Sequence, residues 1–262
     1  MRLPLYQVDA FAAAPFAGNP AAICPLDAWL DDARMQAIAA ENNLAETAFF
    51  VRDGDFYRLR WFTPTVEVDL CGHATLASAW VVFERIEPGA TSVRFATRSG
   101  LLGVTRDGDR LVLDFPALPA ARQTAPAELL AGLGRAPAES WKSSNWMAVF
   151  DSADDVRALA PDMAALARLA PAGVIATAPA DAADGCDFVS RFFAPAHGVP
   201  EDPVTGSAHC TLVPYWAKRL GRTRLHARQV SKRGGELFCE DRGPRVSIAG
   251  RCVLYLEGTI SV

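Results

Sequence analysis

Short runs in which apolar and β-branched residues alternate with polar ones recur through most of the chain, and this period of two predicts strands. Gly108 stands between two aspartates that separate two such runs, a pattern typical of a hairpin turn. The first run ends in a loop rich in proline, glycine and asparagine. The predicted strands cover residues 5–11, 47–52, 57–62, 92–96, 101–106, 110–115, 174–177, 187–193, 229–231, 236–240, 245–248 and 253–257.

Helical periodicity is confined to a few segments, and two of them are apolar almost throughout. These two are residues 72–84 and 206–220. A helix that is apolar on every face must be buried on every face, so the numerous strands are predicted to wrap around the segment 72–84. The other predicted helices are 31–41, 154–159 and 162–169.

An internal repeat divides the chain. Arg60-Trp-Phe-Thr-Pro64 recurs as Arg191-Phe-Phe-Ala-Pro195, and each copy is followed by an acidic loop and an apolar helix that begins at a glycine. The shared order and residue types predict a duplication and therefore two like domains. We predict boundaries at 1–118 and 119–262, within a region rich in proline, and expect that the C-terminal strand can return to the first half.

Composition and charge narrow the possible partners. Half of the residues are apolar, and 26 basic residues against 30 acidic ones give a net charge of −4. Nucleic acid is not an expected partner, because proteins that bind it carry a basic surplus. No window approaches the roughly 18 consecutive apolar residues of a membrane span, so no membrane partner is expected either.

The N-terminal segment and the cysteines indicate a cellular location. Asp9 interrupts the first apolar run, which argues against a secretory signal. The six cysteines contain no CxxC pair, so neither a zinc site nor a disulfide framework is expected. We therefore expect a reducing, cytoplasmic location and cysteines that are mostly small buried residues.

The glycines that open the two apolar helices, Gly72 and Gly206, place unpaired backbone amides at a helix start. Such amides carry partial positive charge and bind anions. Two helix starts of this kind would hold a small molecule that bears a carboxylate. The glycines by themselves are equally consistent with tight strand-to-helix turns, and the duplication favours the binding interpretation.

Titratable side chains flank both helix starts. Cys71 and His73 stand beside the first, and Asp202 precedes the second. Because a helix start disfavours charge on a histidine, His73 is predicted to be a neutral proton carrier, a donor to substrate, or a hydrogen-bonded core residue. Glu46 lies among leucine, alanine and phenylalanine, where a buried carboxyl group suits acid/base catalysis. If strand 47–52 is an exposed edge, Glu46 is simply solvated.

Seven marks along the chain, taken in order, carry a resemblance to a known family. They are Val8-Asp-Ala-Phe-Ala12 with Gly18-Asn-Pro20, Asn42-Asn-Leu-Ala-Glu-Thr47, Arg60-Trp-Phe-Thr-Pro64, Leu70-Cys-Gly-His-Ala-Thr75, Thr97-Arg-Ser-Gly100, Glu201-Asp-Pro-Val-Thr-Gly-Ser-Ala208 and Gln229-Val-Ser-Lys-Arg-Gly-Gly235. The chain resembles the PhzF-like (phenazine biosynthesis-like) family, whose members share the diaminopimelate epimerase-like fold.

The resemblance implies an α+β fold with two pseudo-symmetric domains. Each domain is expected to be a curved, mostly antiparallel sheet wrapped round a central helix, with the active site in the cleft between the domains. The resemblance also implies that Glu46 is the acid/base group and that His73 and Asp202 assist it. The residues expected to bind substrate are Asn19, Gly72, Thr205, Gly206 and Ser207.

One departure from the related epimerases and racemases affects the mechanism. In those enzymes a cysteine at each helix start moves a proton, whereas here Cys71 occupies the first place and Asp202 the second. A mechanism with two thiols is therefore excluded. Cys210 does not replace the missing thiol, because it lies four residues past Gly206 within the helix.

The resemblance implies an isomerase that moves a proton on a small substrate bearing a carboxylate, without a cofactor or a metal, and that forms a homodimer. Dihydro-hydroxyanthranilate is the prototype substrate of the phenazine branch and is not the substrate predicted here. Two alternatives stay open: an epimerase or racemase that uses Cys71 with Glu46 or Asp202, and a binding protein without catalysis. A metal hydrolase based on His197, Asp202 and His209 is not favoured, because no further ligand recurs at metal-binding spacing.

Overall fold

The chain folds as two units, and the computed structural model describes all of residues 1–262. The first unit is formed by Met1–Asp114 and Ala249–Val262, and the second by Phe115–Ile248. The last segment of the chain therefore belongs to the first unit. No helix combines the length and the apolar character that crossing a membrane requires.

Strands make up most of the regular structure. In chain order they are β1 (Arg2–Ala10), β2 (Asn19–Leu26), β3 (Glu46–Asp53), β4 (Phe56–Phe62), β5 (Glu67–Val68), β6 (Ser92–Thr97), β7 (Gly100–Asp107), β8 (Arg110–Pro116), β9 (Ala121–Arg122), β10 (Glu139–Lys142), β11 (Trp146–Val149), β12 (Val174–Pro179), β13 (Phe188–Ala194), β14 (Val199–Asp202), β15 (Arg224–Gln229), β16 (Gly235–Asp241), β17 (Arg245–Gly250) and β18 (Cys252–Ser261). The helices are α1 (Asp32–Asn42), α2 (Gly72–Val81), α3 (Ala127–Leu133), α4 (Ala153–Arg157), α5 (Met163–Ala167) and α6 (Gly206–Leu220), with a π-helical turn at Val82–Ile86 and 3-10 turns at Ala182–Asp184 and Pro195–His197.

The first unit is built around α2. Every residue of this helix except Trp80 is buried, because the helix packs against β1, β2, β3 and β18. β1 pairs antiparallel with β2 and β18. β3 lies between β2, to which it is parallel, and β4, to which it is antiparallel. The predicted burial of the apolar run 72–84 is confirmed, although the α-helix ends at Val81 and continues as the π-helical turn.

The second unit follows the same plan around α6. β15 and β16 form an antiparallel pair that packs against this helix. Pro214 lies inside α6 and has no N–H to give to the carbonyl of Cys210, four residues earlier. The N–H of Leu118 donates to that carbonyl instead, at 2.9 Å, so the helix tolerates its proline. The predicted α+β class, with a mostly antiparallel sheet around a central helix in each unit, is confirmed.

The sequence repeat corresponds to the same contact in each unit. Arg60 on β4 holds Glu67 on β5 through hydrogen bonds of 2.7 and 2.8 Å. Arg191 on β13 holds Glu201 on β14 through hydrogen bonds of 2.7 and 2.9 Å. In both units the guanidinium also lies over the ring of the phenylalanine two residues further along. A bidentate pair of this kind fixes orientation, so each one fastens the short strand that leads to the central helix.

Gly18 is expected to be required for the turn that precedes β2. It has a φ of +67°, and a Cβ atom at this position would lie 2.2 Å from the carbonyl oxygen of Ala10. We expect Gly18→Ala to lower the free energy of unfolding in urea by about 2 kcal/mol or more.

Gly54→Ala is the matched control for this substitution. Gly54 has a similar φ of +60°, and no atom lies within 4 Å of the position of its Cβ. Only the backbone strain of about 1 kcal/mol is expected there. Equal losses in the two variants would contradict the predicted role of the close contact at Gly18.

Candidate active site

Glu46 is the first residue of β3, and its side chain is only 15% exposed. The preceding helix α1 begins at the cap Asp31, whose side chain accepts a hydrogen bond from the Arg34 N–H at 2.9 Å. The C-terminal cap of α1 is Asn43, which has the left-handed conformation with a φ of 49°. Because β3 is paired on both sides by β2 and β4, it is not an edge strand. The alternative in which Glu46 is simply solvated is therefore excluded.

His73 lies in the first turn of α2 and faces Glu46. Its Nε2 atom is 3.1 Å from Oε2 of Glu46, and its side chain is 5% exposed. Neither of these two atoms makes a hydrogen bond of regular geometry, either to the other or to any further group. A carboxyl group and an imidazole ring are thus buried side by side, and Oε2 of Glu46 and Nε2 of His73 can each still form a hydrogen bond.

The charge state of this pair follows from its surroundings. Burial lowers the pKa of His73, but the negative charges of an ionised Cys71 and of Glu46 outweigh it and hold this pKa well above its ordinary value. Burial raises the pKa of the Cys71 thiol to about 11, so the sulfur is uncharged near pH 7. With the thiol uncharged, the Glu46 carboxylate is the remaining negative charge beside the ring, and it favours the protonated form of His73. It opposes the effect of the helix start, which alone predicts a neutral ring.

Asn19, the first residue of β2, contacts the other ring nitrogen of His73. Its side chain is fully buried, and its Nδ2 atom lies 3.1 Å from Nδ1. An amide nitrogen only donates, so this orientation suits a ring whose Nδ1 carries no hydrogen. A ring protonated on both nitrogens requires the amide to be turned so that its oxygen faces Nδ1. Asn19 thereby orients the ring, and its predicted part in binding substrate stays a prediction.

Cys71 is placed beside the same ring, with Sγ 3.5 Å from Nδ1 of His73. Because its pKa is raised to about 11, first by burial and then by the Glu46 charge, we expect it to react slowly with iodoacetamide at pH 7. The expected rate is at least about a hundredfold below that of free cysteine, since the thiolate fraction falls tenfold per pKa unit.

The Glu46→Gln variant provides the comparison, because it removes a charge that raises the pKa of Cys71. Alkylation of Cys71 is expected to become faster in that variant. A rate in the unmodified protein equal to that of free cysteine would contradict this account and would favour a thiol base.

The side chains of Glu46, Cys71 and His73 are also the one group whose donor atoms, all within 4.8 Å of one another, suit a metal ion. Both nitrogens of His73 already contact protein groups, so an ion would have to displace one of these contacts.

The two histidines considered for a metal hydrolase do not share a partner. His197 contacts the carbonyl group of Pro171, and His209 contacts the carbonyl group of Thr205.

Asp202 ends β14 in the second unit, and its carboxylate is held by its own loop. The hydroxyl of Thr205 lies 2.5 Å from Oδ2 of Asp202. The N–H of Thr205 donates to Oε1 of Gln229 at 2.9 Å. Both donors of Thr205 are thus used, one by Asp202 in the same loop and the other by Gln229 at the end of β15, which gives this residue a structural role beside its predicted contact with substrate.

Both central helices begin without a side-chain cap. α2 follows Cys71 and α6 follows Thr205, and neither residue makes a capping hydrogen bond to the helix amides. Gly72 and Gly206 are therefore followed by backbone N–H groups that suit an anion. Ser207 occupies the second position of α6 and is half-buried.

The structure brings the predicted residues together within each unit. In the first unit these are Asn19, Glu46, Cys71, Gly72 and His73, and in the second they are Asp202, Thr205, Gly206 and Ser207. Gln229 was missed as part of the second group. It belongs to one of the seven marks, but its position in the sequence does not indicate which loop its side chain reaches.

Comparisons with known proteins agree with this architecture. The sequence profile of the Phenazine biosynthesis-like protein family (PhzC-PhzF) matches residues 8–258. An uncharacterized isomerase of Pseudomonas aeruginosa is 58% identical over 261 residues, which cover 99% of each chain. The crystal structure of a PhzF family phenazine biosynthesis protein from Enterococcus faecalis has a TM-score of 0.95 and 46% identity, with 100% of both chains covered.

A more distant structure extends the likeness to the epimerase fold. A hydroxyproline epimerase from Agrobacterium vitis has a TM-score of 0.61 at 13% identity, with 99% of this chain and 92% of that chain covered. At this identity the likeness concerns the fold alone, and it agrees with the expected epimerase-like architecture. The family match spans nearly the whole chain, and the chain belongs to the phenazine biosynthesis-like (PhzF) family.

Proposed function

We propose that the protein is an isomerase that moves a proton on a small substrate bearing a carboxylate, with Glu46 as the acid/base group. The observation that carries the proposal is the buried contact of 3.1 Å between Glu46 and His73. A carboxylate beside an imidazolium supplies a base and an acid at the same place. The relatives from Pseudomonas aeruginosa that are named isomerases support this class of reaction.

In the proposed reaction Glu46 takes a proton from a carbon next to an unsaturated system that is conjugated with the substrate carboxylate. The electron pair of the broken C–H bond moves into that system, and negative charge develops on it. The positive charge of a protonated His73 ring, next to Glu46, stabilises this negative charge electrostatically. Glu46 then returns the proton to a different carbon, so no atom is gained or lost and no cofactor is required.

The helix starts contribute binding and electrostatic stabilisation to this proposal. The N–H groups at Gly72 and His73, and those at Gly206 and Ser207, are the proposed anion-binding groups. Fixed donors of this kind stabilise developing negative charge without having to reorganise, often by several kcal/mol. Asp202 is proposed as a further acid/base group. We also propose that the protein assembles as a homodimer.

Exchange of substrate hydrogen with solvent tests the proposal. The protein is incubated in D₂O with a panel of amino acids, hydroxy acids and dihydro-hydroxyanthranilate, and products are analysed by mass spectrometry and proton NMR. An isomerase is expected to place deuterium on a carbon that carried no such hydrogen in the substrate. Binding of a panel compound without any exchange would instead indicate a binding protein and would contradict the proposal.

The thiol alternative is not favoured by the surroundings of Cys71. A base must be ionised at the working pH, and burial raises the pKa of this thiol to about 11. An epimerase that used Cys71 would return deuterium to the same carbon from which the proton was removed. The position of the label in the product therefore separates the two reactions.

A further inference from the structure

Gln229 is a buried amide that joins three groups of the Asp202 loop. It is the last residue of β15 and is 1% exposed. Its Oε1 atom is 2.9 Å from the N–H of Thr205. Its Nε2 atom is 2.7 Å from the carbonyl oxygen of Asp202 and 3.1 Å from the hydroxyl oxygen of Thr205. A single side chain thus spans the segment that leads into α6.

The direction of each hydrogen bond in this group can be assigned without observing hydrogens. A backbone N–H can only donate, so the Gln229 atom that faces Thr205 N must be the oxygen. The other atom is then the nitrogen, and its position next to the Asp202 carbonyl, which can only accept, agrees. The two hydrogens of Nε2 go to this carbonyl and to the hydroxyl oxygen of Thr205.

The same reasoning fixes the hydroxyl of Thr205. Its oxygen receives a hydrogen from Gln229, and its own single hydrogen is left for the neighbour at 2.5 Å, which is Oδ2 of Asp202. The hydrogen bonds therefore run in one direction, from Gln229 to Thr205 to Asp202. Oδ2 of Asp202 is the acceptor in this arrangement.

We infer that Gln229 is a positioning residue that sets the direction of the hydrogen bond from Thr205 to Asp202 and so presents Asp202 as an oriented carboxylate. Ser231 supports the same loop, since its hydroxyl donates to the Pro203 carbonyl at 2.8 Å. The inference rests on the proposed function, in which Asp202 handles a substrate proton.

Substitutions at Thr205 and Gln229 test this role. Thr205→Val removes the hydroxyl but keeps the shape and the N–H that Gln229 accepts. Thr205→Ser keeps the hydroxyl. Gln229→Glu keeps an acceptor for the Thr205 N–H, but when ionised it has no hydrogen to donate. Gln36→Glu is the matched control, because Gln36 also donates to a backbone carbonyl, that of Thr63 at 2.8 Å, in the first unit.

The kinetic readout is kcat and KM for deuterium exchange with whichever panel compound the D₂O screen identifies. We expect Thr205→Val and Gln229→Glu to lower kcat by about tenfold or more, as for a lost hydrogen bond to a charged group. KM is expected to change by less than about twofold. Thr205→Ser should restore kcat to within about threefold, and Gln36→Glu should leave it unchanged. A kcat of Thr205→Val equal to that of the unmodified protein would overturn the inference.

A spectroscopic readout separates failure of this inference from failure of the proposed function. The side-chain ¹³C signal of Asp202, assigned with Asp202→Asn, is expected to shift in Thr205→Val and Gln229→Glu but not in Gln36→Glu. If a panel compound binds without exchange, the proposed function fails, while the ¹³C signal still decides the inference. An unshifted ¹³C signal in both Thr205→Val and Gln229→Glu would overturn the inference. Loss of protection from amide hydrogen exchange across residues 202–207 in Thr205→Ser would also overturn it.

Discussion

Replacing Glu46 by glutamine is expected to lower the rate of deuterium incorporation into substrate by about 10²- to 10⁴-fold, the range typical of a lost general acid/base. Glutamine has nearly the shape of glutamate but cannot take a proton from carbon. The contact of 3.1 Å with His73 means that the change also removes a negative charge that favours the protonated form of this ring. Single-turnover incorporation of deuterium, followed by mass spectrometry, measures the effect.

Glu41→Gln is the matched control for this result. Glu41 is exposed and lies at the end of α1, five residues before Glu46. Its substitution is expected to change the rate by less than about twofold. Equal loss in both variants would indicate a general effect on folding, and a normal rate in Glu46→Gln would exclude Glu46 as the proton carrier.

Trp216→Ala is expected to give the largest loss of stability among the substitutions considered. Trp216 is fully buried in α6, its ring stacks on Phe188 with centroids 5.4 Å apart, and its Nε1 donates to Thr177 at 3.0 Å. Removing the ring leaves a cavity in the second unit. The free energy of unfolding in urea is expected to fall by about 3–5 kcal/mol.

Trp216→Phe separates packing from hydrogen bonding at this position. It retains an aromatic ring against Phe188 and removes the donor to Thr177, so a smaller loss of about 1–2 kcal/mol is expected. If Trp216→Ala cost no more than Trp216→Phe, the stacked contact would not contribute the stability assigned to it.

The elements that the sequence predicts well are those with an unbroken pattern. The apolar run 72–84 identifies the central helix of the first unit, because a segment without a polar face has nowhere to lie except the core. The helix 206–220 is predicted with its bounds as observed. Pro214 leaves the carbonyl of Cys210 without a partner inside the helix. The N–H of Leu118 donates to this carbonyl, and this contact is not local in the sequence.

Other elements depend on neighbours that the local pattern does not contain. β2 begins at Asn19 and includes two prolines, so its composition suggests a loop, yet it pairs with both β1 and β3. The strand predicted at 229–231 in fact ends at Gln229. The position at the strand end is what lets this side chain reach the Asp202 loop, and only the fold places that loop within reach.

The sequence predicts which residues form the candidate site, but it does not predict the protonation state of His73. The motifs single out Glu46 and His73, whereas the distance between them, and hence the protonation of His73, follows from the pairing of β3 beside α2. A helix start alone predicts a neutral ring. The neighbouring carboxylate reverses that expectation.

The central claim is that Glu46 and His73 act as one proton-handling pair, and ¹⁵N NMR of the His73 ring tests it most directly. Because the Glu46 carboxyl group lies 3.1 Å from Nε2 and its charge favours the charged ring, the ring of the unmodified protein is expected to be protonated on both nitrogens at pH 7.5. The ring is expected to become neutral at this pH in Glu46→Gln and to stay protonated in Glu41→Gln. A neutral ring in the unmodified protein, or one that stays protonated in Glu46→Gln, would contradict the account.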